Sequence, residues 1–142
     1  METVNNTSSL CPSGSDLYLF LKRISVDNNI IVTFCNNGFT DFALNWFLTI
    51  QKLNINNYIL FALDQPSYSF LKQQNINTFL VDKENKLFTE ESHNYGSVGF
   101  IAICNEKPWV VNQILKAGFN VVWTDTDIVW LKVSFHNRIQ NI

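Results

Sequence analysis

Short apolar runs alternating with helix-period segments predict an α/β domain built on a mostly parallel sheet. Two observations carry this expectation. The runs 29–35, 58–63, 78–81 and 121–124 are continuous in apolar residues, as strands covered on both faces are. The segments between them place apolar residues at helical spacing, and strands alternating with helices build βαβ units. Composition agrees, because 46% of the 142 residues are hydrophobic and only 15% charged, which suits a packed interior and excludes a disordered chain. At this length one core suffices, burying roughly 68% of the surface that the unfolded chain exposes.

Residues 1–15 read as a loose, polar lead-in and residues 16–142 as the domain. A short apolar segment spans Leu17 to Val26. The first strand, Asn29-Ile-Ile-Val-Thr-Phe-Cys35, stops at Asn36-Asn37-Gly38, a turn signal. Thr40 is the expected N-cap of a helix whose apolar residues Phe39, Phe42, Ala43, Trp46, Phe47, Ile50 and Leu53 trace one face. Tyr58 to Leu63 forms the second strand and ends on Asp64; a short helix around Tyr68 to Gln73 leads to the third, Thr78 to Val81. Residues 82–96 read as a polar surface loop. From Val98 to Ala117 the helical pattern meets Pro108, which lacks an N–H and crowds the preceding turn. Two helices are therefore expected there, one ending near Asn105 and one starting at Lys107 or Pro108 and closed by Gly118. Val121 to Thr124 is the fourth strand, expected inside the sheet with Asp125 and Asp127 at its carboxyl edge beside Asn36 and Asp64, where parallel sheets bind ligands.

Other function classes lack their signatures. A net charge of −2 without a run of Lys or Arg excludes the footprint of a nucleic-acid partner. No stretch reaches the roughly 18 consecutive apolar residues of a membrane span. Cys11, Cys35 and Cys104 have no metal-ligand spacing and read as free thiols, with small core residues as their role. His93 and His136 are lone histidines and read as surface residues without a role. Trp123 and Trp130, alternating with Val and Ile, read as core. A generic phosphate-binding enzyme is disfavoured because Asn36-Asn37-Gly38 is no glycine-rich loop.

The chemistry concentrates in Asp125-Thr-Asp127, between the apolar strand before it and Ile128-Val-Trp-Leu131 after it. Two carboxylates so close repel each other and call for a compensating cation or donors. A hard divalent cation bound to phosphate needs only one or two carboxylates from the protein, because waters and phosphate oxygens complete its shell.

The line from Leu115-Lys-Ala-Gly118 through Asp125-Thr-Asp127 to Trp130-Leu131 resembles the D-x-D region of the nucleotide-diphospho-sugar transferases, the GT-A-fold glycosyltransferases that include plant arabinosyl- and xylosyltransferases. Ile31-Val-Thr-Phe-Cys-Asn36, Asn45-Trp46 and Leu60-Phe-Ala-Leu-Asp64 are similar to that family's first strand, first helix and second strand, so the likeness spans roughly residues 29–135. The resemblance implies a Rossmann-like α/β/α sandwich, here incomplete, holding the donor-binding half. It implies a UDP-sugar donor, a Mn²⁺ or Mg²⁺ cofactor, and a glycan, protein or small-molecule acceptor. Asp127 would be the metal ligand, and Asp125 would contact the ribose or a metal-bound water. Thr33 and Asn36 would lie near the uridine, Asp64 would contact the nucleotide, and Lys107 would reach the diphosphate or donor sugar. The family's members are mostly anchored in the Golgi, whereas a chain complete at 142 residues points to the cytoplasm. Lys132-Val-Ser-Phe135 departs from the family's acidic or polar residue and proline after the tryptophan, and the sequence then ends. The alternative expectation is thus a truncated or degenerate nucleotide-binding domain without catalysis.

Overall fold

The computed structural model describes residue 11 and residues 13–81 and 97–132. The expected loop 82–96, His93, His136 and the 132–135 departure beyond Lys132 lie outside them. In chain order the elements are α1 (Asp16–Ile24), β1 (Asn29–Cys35), α2 (Thr40–Lys52), β2 (Tyr58–Ala62), α3 (Gln65–Gln73), β3 (Thr78–Leu80), α4 (Val98–Lys116) and β4 (Asn120–Trp123). All strand pairs are parallel and the sheet order is β3-β2-β1-β4. The predicted α/β architecture is therefore present. β1 is central, and every residue of it but Asn29 is buried.

Strand alternation sorts β1 into two cores. Ile30, Val32 and Phe34 pack with Leu17 and Leu21 of α1 and with Val110 and Ile114 of α4. Ile31 and Cys35 pack on the other face with Ala43, Trp46 and Ile50 of α2 and Leu71 of α3. The sheet is thus a middle layer between two helical layers. Cys11 is buried in the first core, and Ser15 caps α1 by accepting the Tyr18 N–H at 3.2 Å. No helix among the described residues is long and apolar enough to cross a membrane.

Three expectations are corrected. α4 runs unbroken through Pro108. The proline costs about 3 kcal/mol in a helix interior. Val110 and Ile114, both completely buried, offset that by roughly 1.5–3 kcal/mol each, so the tertiary packing wins. Second, Phe39 and not Thr40 occupies the N-cap of α2, because Asn37–Phe39 form a short 3₁₀ turn that feeds directly into the helix. Third, β4 lies at the border of the described sheet, beside β1, and not between two strands.

The helix-to-strand loops share one device. α2, α3 and α4 each end on a residue in the left-handed conformation, Asn54 (φ 56°), Asn75 (φ 58°) and Gly118 (φ 95°). In each, that residue's N–H and the next one's reach back into the last turn: Asn54 to Gln51 O and Ile55 to Ile50 O, Asn75 to Lys72 O and Ile76 to Leu71 O, Gly118 to Leu115 O and Phe119 to Ile114 O. This is the Schellman closure, with Ile55, Ile76 and Phe119 returning the chain to the core.

Candidate functional site

A parallel sheet brings every strand's carboxyl end to one edge. β1 delivers Asn36 there, β2 runs on into Asp64, and β4 into Thr124 and the two aspartates. Asp64 is committed to structure: Oδ1 accepts the Ser67 N–H at 2.8 Å as the N-cap of α3, and Oδ2 accepts the Asn37 N–H at 2.8 Å. Thus it ties the turn after β1 to the start of α3.

Phe34 of β1 and Trp123 of β4 meet edge to face, with ring centroids 5.0 Å apart. From α4 the Lys107 ammonium lies 5.6 Å from the Phe34 centroid and 5.5 Å from that of Trp123, within cation–π range. It donates to Asp125 Oδ1 at 2.7 Å, and the Trp123 indole N–H donates to the same oxygen at 3.2 Å. Partial burial pushes the Asp125 carboxyl up, but the hydrogen bonds from Lys107 and Trp123 and the lysine's charge outweigh it, so it titrates below the usual 3.8. Asp127 has no hydrogen bond or ion pair to any described residue.

Phe34, Lys107, Asp125 and Asp127 border a cavity of about 400 Å³, within the usual size of small-molecule sites. Its walls are Phe34, Cys35, Asn36, Phe39, Phe42, Cys104, Lys107, Asp125, Thr126 and Asp127. Burial, then the negative charge of Asp64, pushes the Cys35 thiol up to about 12, so Cys35 serves as apolar wall. Of the residues singled out from sequence, Asn36, Lys107, Asp125 and Asp127 converge on this cavity. Asp64 stands at the same edge outside its lining, and Thr33 is buried within β1, its hydroxyl without a hydrogen-bond partner among the described residues.

Sequence reasoning did not single out Phe34, Phe42 or Cys104 as cavity walls, and it read Trp123 only as core. One signal was available: Trp123 precedes Asp125 by two along an extended chain, so the pair shares a face. Cys104 and Lys107 share a helix face only because α4 runs unbroken through Pro108.

No group of three or more His, Cys, Asp or Glu side chains is gathered to hold a metal among the described residues. A closed, all-protein metal cage is therefore not formed by them. One open carboxylate and one lysine-paired carboxylate on a common cavity do fit a hard divalent cation that shares its shell with phosphate and water.

Comparisons with known proteins bear on the family of the chain. The family model described as nucleotide-diphospho-sugar transferase matches residues 53–140, a span holding Asp64, Lys107, Asp125 and Asp127. A UDP-galactose:fucoside alpha-3-galactosyltransferase of Dictyostelium discoideum is 37% identical over 140 residues, covering 82% of this chain and 22% of its own length. An arabinosyltransferase of Arabidopsis thaliana is 33% identical over 114 residues, covering 80% of the chain and 17% of its own. A UDP-D-xylose:L-fucose alpha-1,3-D-xylosyltransferase of the same plant is 25% identical over 138 residues, covering 91% and 36%. The chain thus spans about a fifth of the length of the first two relatives. No solved structure matches it.

Proposed function

The chain belongs to the nucleotide-diphospho-sugar transferase family, and from that premise we propose that its carboxyl-edge cavity receives the diphosphate of a nucleotide sugar. The protein it forms part of would transfer that sugar to an acceptor. The names of two of these relatives specify UDP-sugars, which supports UDP as the nucleotide. One observation carries the reading: Asp127, without a partner among the described residues, lines the same cavity as the Lys107 ammonium. A carboxylate and a cation on one cavity match a metal–diphosphate pair in sign.

Asp127 would ligate Mn²⁺ or Mg²⁺, with Asp125 contributing through a bound water or the ribose. When bound, the cation would supply Lewis-acid stabilisation to the departing diphosphate. Lys107 would turn from Asp125 toward the diphosphate, adding positive charge where negative charge grows in the transition state. The Phe39–Phe42 pair, centroids 6.0 Å apart with Phe42 half exposed, offers an apolar face to a base or sugar ring. Asn36, which lines the cavity, would hydrogen-bond the uracil. The bond from the sugar's anomeric carbon to the diphosphate breaks, and a glycosidic bond to an acceptor oxygen forms as that oxygen loses its proton.

The test is ligand-linked stability. UDP with Mn²⁺ at roughly 100 times Kd should add about 2.7 kcal/mol to the wild type, a Tm gain of several degrees, and far less to Asp127→Ala. A melting temperature that no nucleoside diphosphate shifts in a metal-dependent way would refute the reading.

A further inference from the structure

The segment Thr124–Trp130 carries both aspartates, and both of its ends are bound to the same helix. At the front, the indole N–H of Trp46, a residue with no exposed surface, donates to Thr124 Oγ1 at 3.3 Å, and that hydroxyl donates to the Asp125 carbonyl at 3.1 Å. At the back, the backbone N–H of Trp130 donates to Thr49 Oγ1 at 3.2 Å, and this hydroxyl donates to the Trp46 carbonyl at 2.8 Å. Trp46 and Thr49 are three residues apart on α2 and so present one face to the segment. The Trp130 side chain packs into the core that already holds the Trp46 ring. Each threonine hydroxyl is thereby both acceptor and donor, a double use that a methyl group cannot make.

We infer that Thr49 and Thr124 are positioning residues for the metal corner: α2 clamps the Asp125–Asp127 turn at both ends. The inference rests on the donor reading of the cavity. A turn that follows a strand can drift, and metal affinity is sensitive to the groups that orient the ligands. The clamp replaces drift with two buried or part-buried hydroxyl relays running to one helix, itself anchored by the completely buried Ala43, Trp46 and Ile50. Trp46, Thr49, Thr124 and Trp130 are not among the residues that line the cavity, so their effect on it passes through the carboxylates.

The experiment compares Thr49→Val and Thr124→Val with Thr49→Ser and Thr124→Ser in the 142-residue chain. Thr78→Val serves as control, since the Thr78 hydroxyl is also buried and bonds a carbonyl, that of Ile76, away from the cavity. Mn²⁺ binding in the presence of UDP, followed by the Mn²⁺ paramagnetic resonance signal, should weaken on the order of 10-fold or more in both valine variants. It should return with serine and stay unchanged in Thr78→Val, even where that control lowers Tm. Wild-type affinity in both valine variants would overturn the clamp. A second arm needs no ligand: amide hydrogens of residues 126–130 should exchange roughly 10-fold faster in Thr49→Val than in wild type or Thr78→Val. Unchanged exchange there overturns the clamp independently. If wild type binds no UDP and Mn²⁺ while the exchange arm responds, the donor reading falls and the clamp stands as a structural device.

Discussion

Replacing Lys107 with Met removes the ammonium and keeps a stem that can still cover Phe34 and Trp123. The Lys107 and Asp125 side chains are 32% and 53% exposed, so their pair is screened by water and contributes about 0–1 kcal/mol to folding. The variant should therefore unfold in urea within about 1 kcal/mol of wild type. Binding is another matter. A unit charge about 4 Å from a phosphate oxygen is worth roughly 4 kcal/mol at an effective dielectric of about 20. Discounting for the partial exposure of the site leaves about 1–2 kcal/mol, or on the order of 5- to 30-fold in Kd for UDP. Mn²⁺ alone should respond in the opposite direction, since Asp125 Oδ1 loses its competing ammonium and two carboxylates then face the cation with less positive charge nearby. Isothermal titration of Lys107→Met with UDP plus Mn²⁺, and separately with Mn²⁺, reads both signs. If the two affinities fall together, or UDP affinity stays within about 2-fold, Lys107 does not exchange between Asp125 and the diphosphate and the reasoning fails.

Asp64→Ala should cost about 2 kcal/mol by urea denaturation, since it strips the cap from α3 and an acceptor from the Asn37 N–H; a loss under about 0.5 kcal/mol would mean those bonds are slack. Gly118→Ala should cost about 1–2 kcal/mol from backbone conformation alone, because φ is +95° and an added Cβ meets no atom within 4 Å, while Asn54→Gly should gain several tenths; equal stability for all three proteins would contradict the cap geometry. The stability gap between wild type and Lys107→Met should depend on pH with a definite sign. The folded Asp125 carboxyl is held below its ordinary 3.8, so its contribution is present above that value and is lost as pH falls through the depressed folded value. A gap that closes instead between neutral pH and pH 5 would assign it to another group.

How far the sequence could be read depended on whether local signals and packing agreed. β1 was legible to the residue because Asn29–Cys35 is apolar on both faces and central strands must be. Gly118 declared the end of α4 for an equally local reason. Pro108 misled because its local cost is real, and only the burial of Val110 and Ile114, a property of the assembled core, shows that it is overcome. The position of β4 at the border of the described sheet is likewise a pairing fact with no local trace. Within the site, the aspartates announced themselves by type and spacing, and Lys107 through the family resemblance alone. The hydrogen bonds of Thr49 and Thr124 to their distant partners join residues 81 and 78 positions apart, a separation at which no motif operates.

The three Schellman closures all lie where helices turn back into strands, at the opposite edge from the cavity. The molecule is consequently polarised: one rim is stitched by short turns of fixed conformation, and the other is free to carry chemistry. Substitutions that reshape the cavity rim, altering Phe42, Cys104 or Thr126, leave those stitches intact. A scaffold divided this way lets substrate preference diverge between relatives without each change having to be rescued by a stabilising one elsewhere.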